Sequence, residues 1–390
     1  MHIGIVSHVS TEQLADYLEL SGGEPSGTDG ATAPNLLIIE LLKCGHSISV
    51  FSLTKDLEEG MECVVRGEQL TIYFGAYQKR IRQSALSFFN QERKFIKNKI
   101  LQVKPEVLHA HWQYEYAWAA LDTKIPTIVT CRDSPIKVFL LYKNLYRFIR
   151  LLIALIVFRK STVLTATSAY LVTELKKLGI KKKIHVIPNF EPDWLFEKEM
   201  HKADLQSPKI IMINNGFDDR KNVTSGLLAF QLFRNKYPNA ELHLFGNGYD
   251  IEGAAYAWAT SKNLNENVYY RGYMSFVNLM EELSSFTLLV HPSREETFGN
   301  ILTESMALGV PVIGGINSGS VPWVIGLDQT GGLLVDIEDP KKIFEGMERI
   351  VENESKYSDF RVSARRQAFD NFSAHNVVNL YSELYLNPIA

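Results

Sequence analysis

The chain has little cysteine for its length, and its cysteines lie far apart. The 390 residues include Cys44, Cys63 and Cys131, which are odd in number and lack the close spacing of metal ligands. We therefore expect reduced thiols, as in a cytosolic protein, and no metal site built on cysteine. The sequence also lacks the basic start and long apolar core of a secretory signal. The expected location is the cytoplasm, provided that Met1 is the true start.

Long hydrophobic runs and an excess of basic residues are missing as well. The longest uncharged apolar run, residues 151–158, is far shorter than the roughly 20 residues that a membrane-spanning helix needs. The formal net charge is −3 and no nucleic-acid-binding motif occurs, so nucleic acid is not an expected partner. The composition is typical of a soluble globular protein, and a chain of 390 residues predicts two domains.

Short apolar runs alternate with helical patterns through most of the chain. In the first half, strands are predicted at residues 3–6, 47–53, 107–110, 127–130, 163–166 and 185–187. Strict alternation of strand and helix predicts an α/β doubly wound fold, with a parallel sheet covered on both faces. The pattern then fades and charge rises over residues 191–208, which marks a linker. The predicted limits are residues 1–195 for the first domain, 196–208 for the linker, 209–371 for the second domain and 372–390 for a last helix.

The stretch from residue 290 to 312 joins an apolar run to a helical pattern through a small-residue turn. It reads V-H-P-S-R-E-E-T-F-G-N-I-L-T-E-S-M-A-L-G-V-P-V. A helix that begins near Gly299 offers unpaired backbone N–H groups at its positive end, which is a ready site for a diphosphate. Glu304 lies about one turn, roughly 6 Å, along that helix, where a ribose attached to the diphosphate would fall. Glu296 precedes the turn and so faces a sugar on the other side of the phosphates.

The same stretch resembles the signature of a known enzyme family. Residues 293–313 fit the pattern S-x-x-E-x-F-G-x-x-x-x-E-x-M-A-x-G-x-P-V-I, which is the E-x7-E signature of retaining GT-B glycosyltransferases. Nearly the whole chain resembles family 4 of that group. The resemblance implies a GT-B fold, in which two Rossmann-like domains face a central cleft and the C-terminal helix crosses back to the first domain. The first domain would bind the acceptor and the second the nucleotide-sugar.

Family 4 contains many bacterial lipopolysaccharide and polysaccharide transferases. The resemblance therefore implies retaining transfer of a sugar from a UDP- or GDP-sugar to a glycan or lipid-linked acceptor. The implied route is a front-face reaction in which the leaving diphosphate itself takes the acceptor's proton. No cofactor is implied, and we expect metal independence because basic side chains replace a metal at the phosphates. The sequence does not identify the donor nucleotide and sugar, the acceptor, the linkage or the oligomeric state.

Three residues carry the implied catalytic roles. Glu296 would bind the donor sugar, and His111, the second histidine of an H-x-H at a strand end, would face the same sugar. Lys221 would hold the diphosphate, where a cation stabilises the charge that develops as the glycosidic bond breaks. Relatives carry an arginine as well as this lysine, but Phe217 stands at the arginine's position. Arg220 is therefore the second candidate cation, with a solvated surface residue as the alternative.

The other candidate residues match further parts of the family pattern. The N-terminus of the helix would bind the phosphates, and main-chain groups after a later strand would lie against the base. The predicted donor-binding set is Glu304, Arg220, Gly216, Phe298, Gly299, Asn300, Ile301, Gly272, Tyr273, Met274 and Gly30. For the acceptor, the candidates are Asp133 and Arg132, the latter in place of the histidine of the family's T-x-H-D. A turn or capping role is the alternative for Asp133.

The segment 135–160 contains lysine, arginine and many apolar residues but no acidic residue. One interpretation is a helical stretch that lies peripherally on the anionic cytoplasmic face of the inner membrane. That would suit an enzyme with a lipid-linked acceptor. The other interpretation is a buried helix with a basic exposed edge, because residues 151–158 are apolar on all sides and would need covering in water.

Two other functions stay open at this point. Sugar-nucleotide 2-epimerases share the architecture, but they need acid–base groups at C2 and the chain lacks a match to their pattern. The second alternative is a partner subunit that binds nucleotide without turnover, because Phe217 and Trp323 replace the usual arginine and glutamate of the family. The intact Glu296, Lys221 and His111 favour the transferase.

Overall fold

Two compact units make up the chain. The computed structural model describes residues 1–28 and 31–387. Unit 1 comprises Met1–Pro188 together with the C-terminal segment from Val377, and unit 2 comprises Asn189–Asn376. Each unit is an α/β structure built on its own sheet. The predicted fold class, with two doubly wound domains, is confirmed.

Unit 1 contains a largely parallel sheet with helices between its strands. In chain order its elements are β1 (His2–Val6), a 3-10 helix (Glu12–Tyr17), α1 (Thr32–Lys43), β2 (Ser47–Thr54), β3 (Glu62–Arg66), β4 (Leu70–Ala76), α2 (Ile81–Leu86), α3 (Asn90–Val103), β5 (Val107–His111), α4 (Glu115–Leu121), β6 (Thr127–Cys131), α5 (Pro135–Tyr142), α6 (Leu145–Lys160), β7 (Val163–Ala166), α7 (Ala169–Lys176) and β8 (Ile184–Val186). The strand order across the sheet is β3-β4-β2-β1-β5-β6-β7-β8.

The middle strands of this sheet are buried along nearly their whole length. Continuous apolar runs such as theirs are expected of parallel strands that are covered on both faces. Gly4 in β1 permits close packing, because a Cβ atom there would lie 2.6 Å from Leu108 Cδ2 and 2.8 Å from Pro105 Cγ. In the pairing of β5 with β6, His111 lies opposite Thr130. The residues that end these two strands therefore meet at one edge of the sheet, where ligands bind in such folds.

The sequence analysis does not predict β3 and β4, which form an antiparallel pair at the edge of the sheet. β3 is mostly half-exposed or exposed and begins and ends with a charged residue. It therefore lacks the continuous apolar run that marks the inner strands.

The segment 135–160 forms two helices, α5 and α6, rather than one. Asn144 separates them and caps α6, because its Oδ1 accepts a hydrogen bond from the backbone N–H of Arg147 at 2.9 Å. In α6, Ile153, Val157 and Phe158 are buried in the core of unit 1. The later part of the segment is thus the buried helix of the second interpretation.

Unit 2 contains a second sheet, in which all the paired strands described are parallel. Its elements in chain order are α8 (Asp193–Glu197), β9 (Lys209–Ile213), α9 (Val223–Lys236), β10 (Glu241–Phe245), α10 (Ala254–Ser261), β11 (Val268–Gly272), α11 (Phe276–Leu283), β12 (Leu288–His291), α12 (Asn300–Ala307), β13 (Val312–Gly315), α13 (Val321–Ile325), β14 (Gly332–Val335), α14 (Pro340–Val351) and α15 (Glu354–Phe372). The strand order is β11-β10-β9-β12-β13-β14.

The chain enters unit 2 directly after Pro188, earlier than the predicted limit at residue 195. Leu195 is fully buried in one apolar cluster of unit 2, and Leu205, inside the predicted linker, belongs to another. Residues 189–208 thus pack onto unit 2, although they have little regular structure. Their weak periodicity explains why the sequence indicates a linker here.

The last helix, α16 (Ala374–Leu386), belongs to unit 1 from Val377 onward. Tyr385 Oη lies 2.7 Å from His109 Nδ1, and Tyr381 Oη lies 3.4 Å from Thr130 Oγ1. The predicted return of the C-terminal helix to the first domain is therefore made through two buried tyrosines. Among the described residues, no helix combines the length and the apolar character that crossing a bilayer requires.

Candidate active site

The turn between β12 and α12 has the predicted form. β12 ends at His291, and α12 begins at Asn300 after Gly299, which has a φ of 90° and a ψ of 63°. This left-handed conformation favours glycine, and a Cβ atom there would also lie 3.1 Å from Leu302 Cδ1. The first backbone N–H groups of α12 have no partner within the helix, so this end carries a partial positive charge.

Glu296 lies just before this turn and contacts two basic side chains. Its Oε1 is 2.7 Å from Lys221 Nζ and 3.3 Å from His291 Nε2. Its main-chain oxygen accepts a hydrogen bond from Ser320 N at 2.9 Å. Burial raises the pKa of Glu296, but the close approach of His291 and the charge of Lys221 outweigh burial and hold the pKa below its ordinary value. Glu296 is therefore an ionised carboxylate at neutral pH.

Lys221 reaches Glu296 from the loop that follows β9. The Lys221 backbone N–H donates to the main-chain oxygen and to Oδ1 of Asp218, both at 3.0 Å, which closes the loop before α9. The Lys221 side chain is largely buried. The sequence candidate Arg220 is half-buried, and its main-chain oxygen accepts a hydrogen bond from Arg294 N at 2.8 Å. The structure thus brings Lys221 to the carboxylate, whereas the described hydrogen bonds of Arg220 are made by its main chain.

Phe217, at the position where the resemblance has arginine, packs inside unit 2. Its ring centroid lies 6.3 Å from that of Tyr249 and 6.1 Å from that of Trp258. The Tyr249 hydroxyl donates to the main-chain oxygen of Gly216 at 2.8 Å. Phe217 and Tyr249 therefore support the loop that presents Lys221.

Glu304 lies inside α12 near a second buried carboxyl group, that of Glu191. Glu191 Oε1 accepts a hydrogen bond at 2.6 Å from the hydroxyl of Thr303, the neighbour of Glu304 in the chain. Burial raises the pKa of Glu304. Burial, followed by the charge of Glu304, raises the pKa of Glu191 well above its ordinary value. At neutral pH this carboxyl pair therefore holds at least one proton.

The remaining predicted residues of the turn have mainly supporting contacts. The Phe298 ring is buried, and its centroid lies 6.4 Å from that of Trp323 and 5.6 Å from that of Phe372. Asn300 Oδ1 accepts a hydrogen bond from Asn189 Nδ2 at 2.7 Å, and Ile301 is half-buried. Trp323, at the position of a family glutamate, therefore packs behind the turn.

Two other predicted donor residues lie at or after the carboxyl ends of β9 and β11, which β10 separates in the same sheet. Gly216 follows β9, and Gly272 ends β11. After Gly272 come the exposed Tyr273 and the half-buried Met274. Gly30, also predicted for this set, lies outside the described residues.

His109 and His111 end β5 in unit 1 but differ in their contacts. His109 is hydrogen-bonded at both ring nitrogens, to Tyr385 Oη and to Thr130 Oγ1, each at 2.7 Å. His111 stacks on His109 with ring centroids 4.2 Å apart, and its Nδ1 lies 2.8 Å from Arg132 Nη2. Burial lowers the pKa of His109 to about 3 and that of His111 well below its ordinary value. Both rings are neutral, and His109 has the contacts of a structural residue.

Asp133, a predicted acceptor residue, makes hydrogen bonds within unit 1. Its Oδ1 accepts from Gln113 Nε2 and from the Tyr114 hydroxyl, both at 2.6 Å. Burial raises the pKa of Asp133. These contacts hold the loop after β6, as the turn-supporting alternative for Asp133 predicts.

Unit 1 also contains a cavity of about 660 Å³. Tyr77 and Tyr146 form part of its aromatic lining, and the charged lining comprises Lys55, Arg147, Arg150, Asp56 and Glu115. Arg150 Nη1 lies 3.0 Å from Glu115 Oε2. The volume of the cavity lies within the range of small-ligand pockets, and its mixed lining suits a polar ligand with an apolar face.

Two residues of the donor turn, His291 and Glu191, were missed by sequence reasoning. His291 lies within residues 290–312, at the carboxyl end of β12. Ligand-binding side chains gather at the carboxyl ends of parallel strands. That position was a usable signal for His291. Glu191 has no comparable local signal, because its carboxyl group meets α12 only when residues 189–208 fold onto unit 2.

The chain matches two family models that together cover most of its length. The model described as "Glycosyltransferase Family 4" matches residues 36–190, and the model described as "Glycosyl transferases group 1" matches residues 195–367. Among solved structures, the sucrose-phosphate synthase of Thermosynechococcus elongatus has a TM-score of 0.77 at 17% identity, over 99% of this chain and 98% of that chain. That likeness concerns the fold.

Curated relatives agree with these models. The N-acetyl-alpha-D-glucosaminyl L-malate synthase of Bacillus anthracis is 26% identical over 301 residues, 73% of this chain and 75% of the relative. The lipopolysaccharide core biosynthesis glycosyltransferase LpsE of Rhizobium meliloti (strain 1021) is 24% identical over 230 residues, 58% of this chain and 65% of the relative. With the E-x7-E turn and the two Rossmann-like units, these matches identify an enzyme: the chain belongs to family 4 of the glycosyltransferases, with the GT-B fold.

Proposed function

We propose that the chain transfers a sugar, with retention of its anomeric configuration, from a UDP- or GDP-sugar to a glycan or lipid-linked acceptor. The pathway we propose is the synthesis of a bacterial surface polysaccharide or lipopolysaccharide, as the name of the Rhizobium relative indicates for that protein. The observation that carries the proposal is the cluster of ionised Glu296, Lys221 and the N-terminus of α12 in unit 2. A cation and a helix N-terminus bind a diphosphate, and a carboxylate beside them accepts hydrogen bonds from sugar hydroxyls.

In this mechanism the protein positions the donor and stabilises charge. Lys221 exchanges its contact with Glu296 for the diphosphate, and the backbone N–H groups of Asn300 and Ile301 donate to the same phosphates. Negative charge that develops on the leaving diphosphate is stabilised most where donors are already in position. The diphosphate then takes the acceptor's proton on the same face of the sugar, which gives retention. We propose that Lys221 and α12 supply the positive charge and that the reaction is independent of metal.

In this proposal two glutamates bind the parts of the donor on either side of the diphosphate. Glu304 accepts hydrogen bonds from the ribose, and Glu296 accepts them from the transferred sugar. In unit 1, His111 donates to a sugar hydroxyl, and the acceptor binds in the 660 Å³ cavity, whose lining combines aromatic, basic and acidic side chains.

We also propose that the tip of the α5–α6 pair touches an anionic membrane surface. Leu140, Leu141 and Leu145 are 55%, 53% and 62% exposed, and Phe148 is 42% exposed. Basic residues lie among them in the sequence, including Lys143, and each basic residue near an anionic surface contributes about 1 kcal/mol. Unlike the buried part of α6, this tip has both the apolar and the basic groups of an interfacial helix.

A vesicle flotation assay tests this contact. The chain is expected to float with vesicles of phosphatidylglycerol and phosphatidylethanolamine and to stay behind with phosphatidylcholine alone. The double variant Leu141→Ser, Leu145→Ser should lose most of the binding. The matched control is Leu327→Ser, because Leu327 is 82% exposed in unit 2 and should not affect flotation. Equal flotation of the double variant and the wild type would contradict the proposal.

A nucleotide panel tests the donor site. UDP, GDP, ADP and CMP are each added well above their expected dissociation constants, and the thermal midpoint is measured. A ligand at about a hundred times its dissociation constant stabilises by roughly 2.7 kcal/mol, which corresponds to several degrees. A shift with UDP or GDP supports the donor site, and a panel without any shift contradicts it.

The matching nucleotide-sugars are then incubated with the chain, and the products are examined by NMR. Transfer with the donor's anomeric configuration supports retention, whereas the inverted anomer contradicts it. Conversion of the nucleotide-sugar to its C2 epimer without an acceptor would replace the transferase proposal with the epimerase alternative.

A further inference from the structure

His111 has two ring nitrogens in very different surroundings. Its Nδ1 lies 2.8 Å from Nη2 and 3.3 Å from Nε of Arg132. A guanidinium group has donors and no acceptor, and it does not lose its proton in proteins. Nδ1 of His111 must therefore be the acceptor in this contact. A neutral imidazole whose Nδ1 accepts carries its proton on Nε2.

The surroundings of His111 also keep the ring neutral. Its side chain is fully buried. Burial, then the adjacent His109, then the charge of Arg132 lower the pKa of His111 well below its ordinary value. His109 is itself fixed by Tyr385 and Thr130 and stacks on the His111 ring with centroids 4.2 Å apart. The ring is thus held by a hydrogen bond at one edge and by a stacked neighbour on one face.

The other nitrogen, Nε2 of His111, has no hydrogen-bond partner among residues 1–28 and 31–387. A buried N–H group without a partner is costly, and buried polar groups are nearly always paired. An N–H that is kept unpaired and aimed by fixed neighbours is suited to an acceptor atom that arrives with a ligand, such as a hydroxyl or phosphate oxygen.

We infer that Arg132 is a positioning residue, which fixes His111 as the neutral Nε2–H tautomer and so makes its Nε2–H a hydrogen-bond donor to a ligand oxygen. The inference rests on the proposed function for the identity of the ligand, a sugar donor. Arg132 is itself oriented by its neighbours, since its guanidinium carbon lies 5.6 Å from the centroid of the Trp112 ring. A histidine at position 132, as in the T-x-H-D pattern, can either donate or accept and would not determine the tautomer.

The tautomer can be measured without any substrate. Long-range 1H–15N NMR spectra are recorded on the histidine-labelled full chain, and the His111 signals are assigned by their loss in His111→Gln. In the wild type we expect the Nε2–H pattern, with chemical shifts that do not change between pH 5.5 and 8.5. A Nδ1–H pattern in the wild type would overturn the inference, whatever the variants do.

Variants of Arg132 then test whether this residue determines the tautomer of His111. Arg132→Leu removes the donors, and we expect the His111 ring to populate the other tautomer as well. Arg132→Lys keeps a donor and a charge and should restore the Nε2–H pattern. The matched control is Arg93→Leu, since Arg93 also lies over a tryptophan of unit 1, with its guanidinium carbon 3.8 Å from the Trp118 centroid. An unchanged His111 spectrum in Arg132→Leu would refute the role of Arg132.

Turnover gives the second readout, once the nucleotide panel has identified a donor. Arg132→Leu should lower kcat/KM by about tenfold at neutral pH, the order expected for one lost hydrogen bond. Arg132→Lys should recover most of the activity, because it keeps a donor to Nδ1 of His111. Equal losses of kcat/KM in Arg132→Leu and Arg132→Lys would contradict the inference. The NMR pattern does not depend on turnover, so failure of the transferase proposal and failure of this inference are distinguishable.

Discussion

Glu296 and Glu304 belong to one turn and one short helix, yet the pKa values of their carboxyl groups are shifted in opposite directions. Glu296 contacts Lys221 and His291, which hold its pKa below the ordinary value against the effect of burial. Glu304 lies near Glu191, a second acid, and burial raises its pKa. Both carboxyl groups are buried, so the basic neighbours of Glu296, which Glu304 does not share, separate the pKa values of the two glutamates.

The difference assigns a separate task to each region of the donor site. The region before the turn holds the negative charge of Glu296 next to the Lys221 cation, which suits the part of the donor where charge develops. Inside α12, the carboxyl pair of Glu304 and Glu191 holds at least one proton. Such a pair is suited to hydrogen bonds with the hydroxyl groups of a nucleoside. Pairs of acids whose surroundings drive their pKa values apart are a recurring feature of active sites.

The largest effect is expected from Lys221→Met, which removes the cation from the Glu296 region. Turnover should fall by roughly two to three orders of magnitude, as for the loss of one preorganised donor to a developing anion. The thermal midpoint should also fall, because Glu296 is left buried with less compensating charge. The measurement is kcat with the donor that the nucleotide panel identifies.

The control for this prediction is Lys236→Met. Lys236 pairs with Glu348 in unit 2, and its side chain is 63% exposed. Its replacement should leave turnover within about twofold of the wild type, since exposed ion pairs contribute little. Near-native turnover in Lys221→Met would remove the mechanism proposed for the donor site.

A smaller effect is expected from Glu191→Gln, which removes one acid from the Glu304 region and keeps an acceptor for Thr303. Because the pKa values of this pair are raised in the folded chain, the folded state binds more protons than the unfolded state above the ordinary glutamate pKa. Stability is therefore greatest below that pKa and is lost as the pH rises toward the raised values. Glu191→Gln should make this loss smaller.

Thermal midpoints at pH 5 and pH 8 measure this dependence. We expect the decrease between the two pH values to be about 2–4 °C smaller in Glu191→Gln than in the wild type, the shift that about 1 kcal/mol gives in a domain of this size. Glu354→Gln is the control, because its carboxylate is 79% exposed in unit 2. An equal decrease of the thermal midpoint between pH 5 and pH 8 in Glu191→Gln and the wild type would contradict the assignment of the raised pKa values to Glu191 and Glu304.

The sequence predicted those parts of the site that are close together in the chain. The E-x7-E turn, the start of α12 after Gly299 and the two strands that end near His111 and Arg132 all follow from local patterns. The strands are buried in a parallel sheet, so their apolar runs are continuous and easy to recognise.

The parts that the sequence did not predict depend on contacts between distant segments. Glu191 reaches the Glu304 region from over 100 residues away, and the tautomer of His111 depends on a side chain from the next strand. Phe217 and Trp323 depart from the family pattern, which favoured a subunit without turnover. In the structure both pack against other aromatic rings and support the loops that present Lys221 and the turn.

The most direct test of the account is a calorimetric titration of Glu296→Gln and Glu304→Gln with a nucleoside diphosphate and with its nucleotide-sugar. If Glu304 binds the nucleoside and Glu296 the sugar, Glu304→Gln should weaken both ligands by about tenfold, the order of one or two lost hydrogen bonds. Glu296→Gln should weaken the nucleotide-sugar relative to the diphosphate by a similar factor. It should not weaken the diphosphate itself, because it releases Lys221 from its contact at 2.7 Å with the carboxylate. Equal weakening of the diphosphate by both variants, or its weakening by Glu296→Gln alone, would contradict the division of the donor between the two glutamates.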